Sequence, residues 1–126
     1  MFVMSRSQVA RLPVSVSVIN AAGGLEQQGF QVDIKRQAQA EWDALFARHG
    51  EAIAGLAEVS GNLQANADLF CAVVTGWEGV QDEQGPVLFS PAVLRALVVG
   101  PDGPALSRGL FAAIESLRFG LAAEKN

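Results

Sequence analysis

The chain has 126 residues and a formal net charge of −4; half of its residues are hydrophobic and only 17% are charged. That length suits one domain with a substantial core, so residues 1–126 are predicted to form a single domain. Nine basic residues against thirteen acidic ones, with no basic cluster larger than Lys35-Arg36 beside Asp33, argue against nucleic-acid binding.

The first predicted element is an antiparallel β-hairpin over about residues 12–35. The run VSVSVI from Val14 alternates apolar and polar side chains, and FQVDIK from Phe30 resumes the same period. Two such strands around a glycine-containing turn form a hairpin. We expect its loop at about residues 20–28 and a tail at residues 1–10.

Four to five short helices are predicted over about residues 37–123, which makes the chain α+β and mostly helical overall. The first helix has one apolar stripe, formed by Ala38, Trp42, Leu45 and Phe46. We expect it to end at His49-Gly50, because glycine suits a C-terminal cap. His49 would then interact with the helix dipole rather than bind a metal.

Two further helices are predicted between residues 53 and 77. A short one would contain Ile53, Leu56 and Val59. The next would begin with Asn66 or Asp68 as its N-cap and continue through an apolar segment to Trp77.

The last two helices have the clearest boundaries. Ser90-Pro91 predicts a helix start, because the serine hydroxyl can cap and proline loses no hydrogen bond at the first position. The final helix, about residues 104–123, should face inward with Leu106, Leu110, Ile114, Leu117 and Leu121. Phe111 and Phe119 lie off this stripe, and we predict that both contact a partner.

The sequence offers no catalytic residues, no cofactor site and no metal site. It contains one histidine, one cysteine and no tyrosine, whereas a nucleophile needs a base within reach. The acidic turn at residues 82–86 lacks the ligand spacing of a calcium loop. Cys71 has apolar neighbours and is predicted to be a small buried side chain. We expect a non-enzymatic protein in the cytoplasm, because neither a membrane span nor a signal peptide is evident.

Residues 74–91, VTGWEGVQDEQGPVLFSP, resemble a block found in tail assembly chaperones of long-tailed phages and prophages. The shared features are a helix ending in Gly-Trp-x-Gly-Val, an acidic turn with glycine, a proline, a short apolar run, and Phe-Ser opening a helix. The element order is also similar, with a valine-rich hairpin, a Gln/Glu-rich helix start at residues 37–41 and a charged end at residues 124–126.

The resemblance implies a chaperone that associates with the tape measure protein, keeps it soluble and helps the tail tube protein assemble around it. It also implies self-association, absence from the mature virion and, in many members, a longer frameshifted form. No active residue is carried over. Two alternatives are a minor structural tail protein retained in the particle, and a small enzyme, which would need a cleft with perturbed ionisable groups.

The block also has a structural explanation. Trp77 and Phe89 flank a turn and should pack together, and Gly79 and Gly85 should supply the backbone shape of that turn. Ser90 then caps the following helix. We favour this structural role for the block over a partner-binding role.

Overall fold

The computed structural model describes residues 1–121 and has an α+β fold. Helix makes up 45% and strand 26% of these residues, so the chain is less helical than predicted. One sheet has the strand order β1-β2-β3, and β4 and β5 form a separate ribbon. The elements in chain order are β1 (Val9–Ile19), β2 (Leu25–Lys35), α1 (Gln39–Ile53), α2 (Val59–Val73), β3 (Val74–Glu78), β4 (Gln81–Asp82), β5 (Gly85–Pro86), α3 (Pro91–Val98) and α4 (Gly103–Phe119).

The predicted hairpin is confirmed, with longer strands and a shorter loop. β1 begins at Val9, inside the segment predicted as a tail, and the loop is residues 20–24 rather than 20–28. Asn20 holds this loop, because its Oδ1 accepts hydrogen bonds from the backbone N–H groups two and four residues further on, at 3.1 and 2.9 Å. Gly23 completes the turn with φ +85°.

The core lies between one face of the sheet and the helices. The alternating hairpin residues Val14, Val16, Val32 and Ile34 are all buried, as the two-residue period predicts. The largest fully buried side chains on the helices are Trp42, Phe70, Leu94, Leu110 and Ile114.

The C-terminal end of α1 differs from the prediction. The helix continues through Gly50 to Ile53, so His49 lies inside it and the predicted glycine cap is wrong. Gly50 is exposed, and a helix tolerates such a glycine at a cost of about 1 kcal/mol. The chain leaves the helix at residues 54–58, where Gly55 has φ +76°.

α2 replaces the two helices predicted between residues 53 and 77. The short helix around Leu56 does not form, and Asn66 and Asp68 lie within α2 rather than at its N-cap. α2 ends at Val73; the β-branched residues Val74 and Thr75 that follow favour extended backbone, and the chain continues directly as β3. Trp77 therefore lies on a strand and not on a helix.

Two aromatic rings pack together within the block at residues 74–91. Trp77 and Phe89 pack edge to face, with centroids 5.0 Å apart, as predicted. The Nε1–H of Trp77 donates to the carbonyl oxygen of Val87 at 2.8 Å. Gly79 and Gly85 adopt φ +93° and +120°, in the region that favours glycine. This arrangement gives the block a structural role.

The predicted start of α3 is confirmed. The Oγ of Ser90 accepts a hydrogen bond from the backbone N–H of Val93 at 3.1 Å, and Pro91 occupies the first helical position. Leu94 and Val98 face the core.

α4 follows its predicted stripe but is shorter than expected. Its inward-facing residues Leu106, Leu110 and Ile114 are buried, and Leu117 is partly buried. The helix ends at Phe119, and Gly120 caps it with φ +67°. Leu121, predicted to face inward, lies beyond this cap and is exposed. The predicted helical residues 122–123 and the charged end at residues 124–126 lie outside the described residues.

Arg11 connects all three strands on the outer face of the sheet. Its guanidinium donates to both carboxylate oxygens of Asp33, at 2.8 and 3.0 Å, and to the carboxylate of Glu78. The hydrogen bond from Arg11 lowers the pKa of Asp33 below its ordinary value of 3.8. Because the unfolded chain keeps the ordinary value, the pair stabilises the fold fully above that pH and loses this contribution as the pH falls through the lower folded pKa.

Asp33→Asn should therefore make the free energy of unfolding depend less on pH in the acidic range. Urea denaturation from neutral pH down to about pH 2 should show a loss of stability below about pH 4 that is smaller in the variant than in the wild type. If the free energy of unfolding falls with pH in the same way for both proteins, the Arg11–Asp33 pair does not contribute to stability.

Candidate protein-binding site

The two phenylalanines predicted to contact a partner, Phe111 and Phe119, line the same surface pocket. The pocket lies between α1 and the C-terminal half of α4, has a volume of about 200 Å³, and is lined by Phe46, Phe111, Ile114, Glu115, Arg118 and Phe119. We call this the aromatic pocket. Most of its lining is apolar, which suits an apolar side chain of another molecule.

Phe111 forms the floor of the aromatic pocket and is more buried than its position off the inward stripe suggested. Its ring packs against Phe70 of α2 with centroids 4.8 Å apart, and against Phe46 of α1 at 6.2 Å. α1 and α2 cover this side of α4, which widens the buried face beyond the predicted stripe. Only part of Phe111 therefore remains available to a partner.

Phe119 stands at the rim and is 56% exposed. The guanidinium of Arg118 lies 4.9 Å from the centroid of its ring and 5.2 Å from that of Phe46, so one cation faces both aromatic walls. Such contacts restrain the rings at little cost in solvation. The half-exposed ring of Phe119 therefore packs on Arg118 on one side and faces solvent with the rest of its surface.

Arg118 is itself fixed by α1. It donates to Oε1 of Gln39 at 3.0 Å and to the carboxylate of Asp43, while its backbone oxygen accepts from Nε2 of Gln39 at 2.7 Å. The Arg118 side chain is only 16% exposed, whereas that of Asp43 is 70% exposed. These bonds tie the last turn of α4 to the first turns of α1 beside the aromatic pocket.

His49 packs against two of the rings that line the aromatic pocket. Its Nε2–H donates to Oδ1 of Asn66 at 2.7 Å, and Nδ2 of Asn66 donates to Oγ of Ser107 at 3.2 Å. The imidazole also packs edge to face against Phe46 and Phe111. The expected role at a helix end is wrong; this histidine instead links α1 to α2 and, through Asn66, to α4.

A second groove runs between α1 and α2. It has a volume of about 280 Å³ and is lined by Leu45, Arg48, His49, Ala52, Ala65, Asp68, Leu69 and Ala72. The carboxylate of Asp68 forms an ion pair with Arg95. Three of its lining residues, Arg48, His49 and Asp68, are polar or charged, so the groove is larger but less apolar than the aromatic pocket.

Cys71 packs against the core, as predicted, but it is only partly buried. The thiol is partly buried on α2, with its Sγ 3.6 Å from the carbonyl oxygen of Pro91. Burial raises the pKa of the Cys71 thiol above its ordinary value. A raised pKa disfavours the thiolate, the reactive form of cysteine.

Comparison with protein-family models, with curated proteins and with solved structures finds no match for this chain. Within residues 1–121, no helix is both long enough and apolar enough to cross a membrane. Over the same residues, no three side chains of His, Cys, Asp or Glu are grouped so that they could hold a metal ion.

Proposed function

We propose that this protein is a tail assembly chaperone that acts by burying apolar surface of other tail proteins in the aromatic pocket. The observation that carries the proposal is Phe119, a large apolar side chain that is half exposed yet held at the rim of an apolar pocket by Arg118. The few residues that dominate binding energy are enriched in aromatic side chains and arginine, and neighbouring contacts shield them from water.

The energetics favour such a contact. Full burial of a phenylalanine contributes about 1.5–3 kcal/mol, so covering the exposed part of Phe119 contributes about 1 kcal/mol or more. The side chain of Phe119 loses little conformational freedom on binding, because its contact with Arg118 already restricts it. Binding through contact area of this kind needs no reacting group.

The identity of the partner rests on the resemblance at residues 74–91. It supports the tape measure protein as the client and the tail tube protein as the second partner, with copies of this chain associating among themselves. On this proposal the protein acts in the host cytoplasm and leaves before the virion is complete. A tape measure gene directly downstream would support the assignment strongly.

Co-expression with a long helical tail protein and affinity capture tests the proposal. We expect the wild-type protein to retain that partner and Phe119→Ala to retain it about fivefold less, the ratio that corresponds to about 1 kcal/mol. The matched control is Leu88→Ala, which truncates an 87% exposed apolar residue in the block at residues 74–91. Its retention should equal that of the wild type, and circular dichroism should show both variants folded.

Equal retention by Phe119→Ala and wild type would reject the aromatic pocket as the binding site. The alternative function, a minor structural tail protein, is tested separately by mass spectrometry of purified particles. A chaperone should be missing from them, whereas a virion component should be present.

A further inference from the structure

A second pocket lies beside the aromatic pocket, at the start of α1. It has a volume of about 250 Å³ and is lined by Arg36, Gln37, Gln39, Trp42, Leu117 and Arg118. We call it the donor pocket, because its lining contains two guanidinium groups and two side-chain amides but no carboxylate. Arg118 also lines the aromatic pocket, so the two pockets are neighbours.

Two groups that line the donor pocket lack a partner. Arg118 is bonded to Gln39 and Asp43, but Arg36 is exposed and forms no ion pair within residues 1–121. The amide nitrogen of Gln37 is shielded from solvent and has no hydrogen-bond partner among the same residues. A shielded donor without an acceptor is unfavourable, so an acceptor from another molecule would be stabilised here.

The charge that remains unbalanced in the donor pocket is that of Arg36. Asp43 already pairs with Arg118. Glu41, on the first turn of α1, uses its carboxylate to accept from the backbone N–H of Ala38 at 3.1 Å. A carboxylate carries one negative charge and can accept from a guanidinium and an amide together, whereas a phosphate monoester carries about two. A single carboxylate therefore matches the pocket better than a phosphate does.

We propose, on the basis of the proposed function, that the donor pocket binds the carboxylate of an aspartate or glutamate residue of the partner. Its oxygens accept from the guanidinium of Arg36 and from the amide nitrogen of Gln37, which turns toward the pocket to reach them. An apolar residue of the same partner segment contacts Phe119 in the neighbouring aromatic pocket. The apolar contact supplies affinity, and the carboxylate fixes the orientation and disfavours segments with a basic residue at that position.

Nuclear magnetic resonance titration of the chain tests the donor pocket directly. The probes are acetyl-glutamate N-methylamide, which carries one carboxylate, and its neutral glutamine counterpart. At low salt we expect saturable shifts of the Gln37 side-chain amide protons with the glutamate probe and none with the glutamine probe. Arg36→Gln should weaken binding of the glutamate probe about fivefold. Arg48→Gln, an equal charge change at an exposed arginine of α1 that forms no ion pair among the described residues, should leave it unchanged.

Capture of the co-expressed tail protein tests whether the partner uses the donor pocket. Arg36→Gln should reduce retention of the tail protein about fivefold, because the partner's carboxylate loses its cation. Arg48→Gln should retain as much as the wild type.

The outcomes separate the two proposals. Capture that falls with Phe119→Ala but not with Arg36→Gln would overturn the donor pocket as part of the interface and leave the proposed function intact. Equal shifts from the two probes, or tighter binding of inorganic phosphate than of the glutamate probe, would overturn the carboxylate assignment. Retention at the wild-type level by both Phe119→Ala and Arg36→Gln would reject both proposals.

Discussion

Gly109→Ala is expected to lower the free energy of unfolding by about 3 kcal/mol, the upper part of the range for an added methyl group in a packed interior. A Cβ at Gly109 would lie 2.6 Å from the carbonyl oxygen of Ser15 and 2.9 Å from Cγ1 of Val14. Neither neighbour can move freely, since one is strand backbone and the other is buried in the core. α4 would have to shift away from β1. Urea denaturation followed by circular dichroism measures the change.

The matched control is Gly50→Ala. Gly50 also lies inside a helix, but it is exposed and no heavy atom comes within 4 Å of its added Cβ. Alanine there should stabilise the protein by up to about 1 kcal/mol, because it removes the helix penalty of glycine. Similar effects of the two substitutions would show that α4 does not depend on close approach to β1.

The contact at Gly109 also protects the edge of the sheet. Among the described residues, β1 has a strand partner on one side only. Two backbone hydrogen bonds lie at the ends of the β1–β2 pairing: the N–H of Asn20 donates to the oxygen of Gly24, and the N–H of Arg36 donates to the oxygen of Gln8. Even-numbered residues of β1 therefore form the hydrogen-bonded pairs with β2, and the odd-numbered residues direct their N–H and C=O groups to the free edge of the sheet. Pro13, which has no N–H, is one of them. Helix cover and proline are both known means of preventing edge-to-edge aggregation.

Trp77→Ala is expected to lower the free energy of unfolding by about 3 kcal/mol, at the lower end of the range for removing a large aromatic residue, because Trp77 is only partly buried. The substitution removes the ring contacts with Phe89 and Phe30 and the hydrogen bond to Val87. Strand β3 would then lose its attachment to the segment that follows it. Chemical denaturation measures the loss.

Trp77→Phe separates the two contributions. It keeps an aromatic ring against Phe89 but removes the N–H donor, so it should cost about 1–2 kcal/mol. A change below about 1 kcal/mol for Trp77→Ala would mean that the block at residues 74–91 does not hold the fold together. In that case a partner-binding role for Trp77 would become the better explanation.

Local signals predicted much of the fold because the responsible contacts are close in sequence. The hairpin follows from a two-residue period, and the start of α3 follows from the cap at Ser90. The strand at Val74 was missed because its partner, β2, lies some forty residues earlier, and no local pattern records that pairing. The tight loop after β1 depends on the hydrogen bonds of one side chain, Asn20, which the alternating pattern of the strands does not indicate.

The sequence predicts part of the candidate site as well, because the position of a residue on a helical wheel depends only on its neighbours in the chain. A helical wheel separates Phe119 from the inward stripe, and the structure leaves it exposed. Phe46 belongs to the predicted apolar stripe of α1; it is partly buried against the core and also lines the aromatic pocket. The link from Arg118 to Asp43 spans 75 residues, so only the packing of α4 on α1 brings them together.

Amide hydrogen exchange of this chain, free and in complex with the co-expressed helical tail protein, tests the central claim most directly. The account predicts that binding slows exchange in the last two turns of α4 and in the part of α1 around Phe46, while residues 79–90 exchange as before. Absence of a complex, or protection confined to residues 79–90, would contradict it.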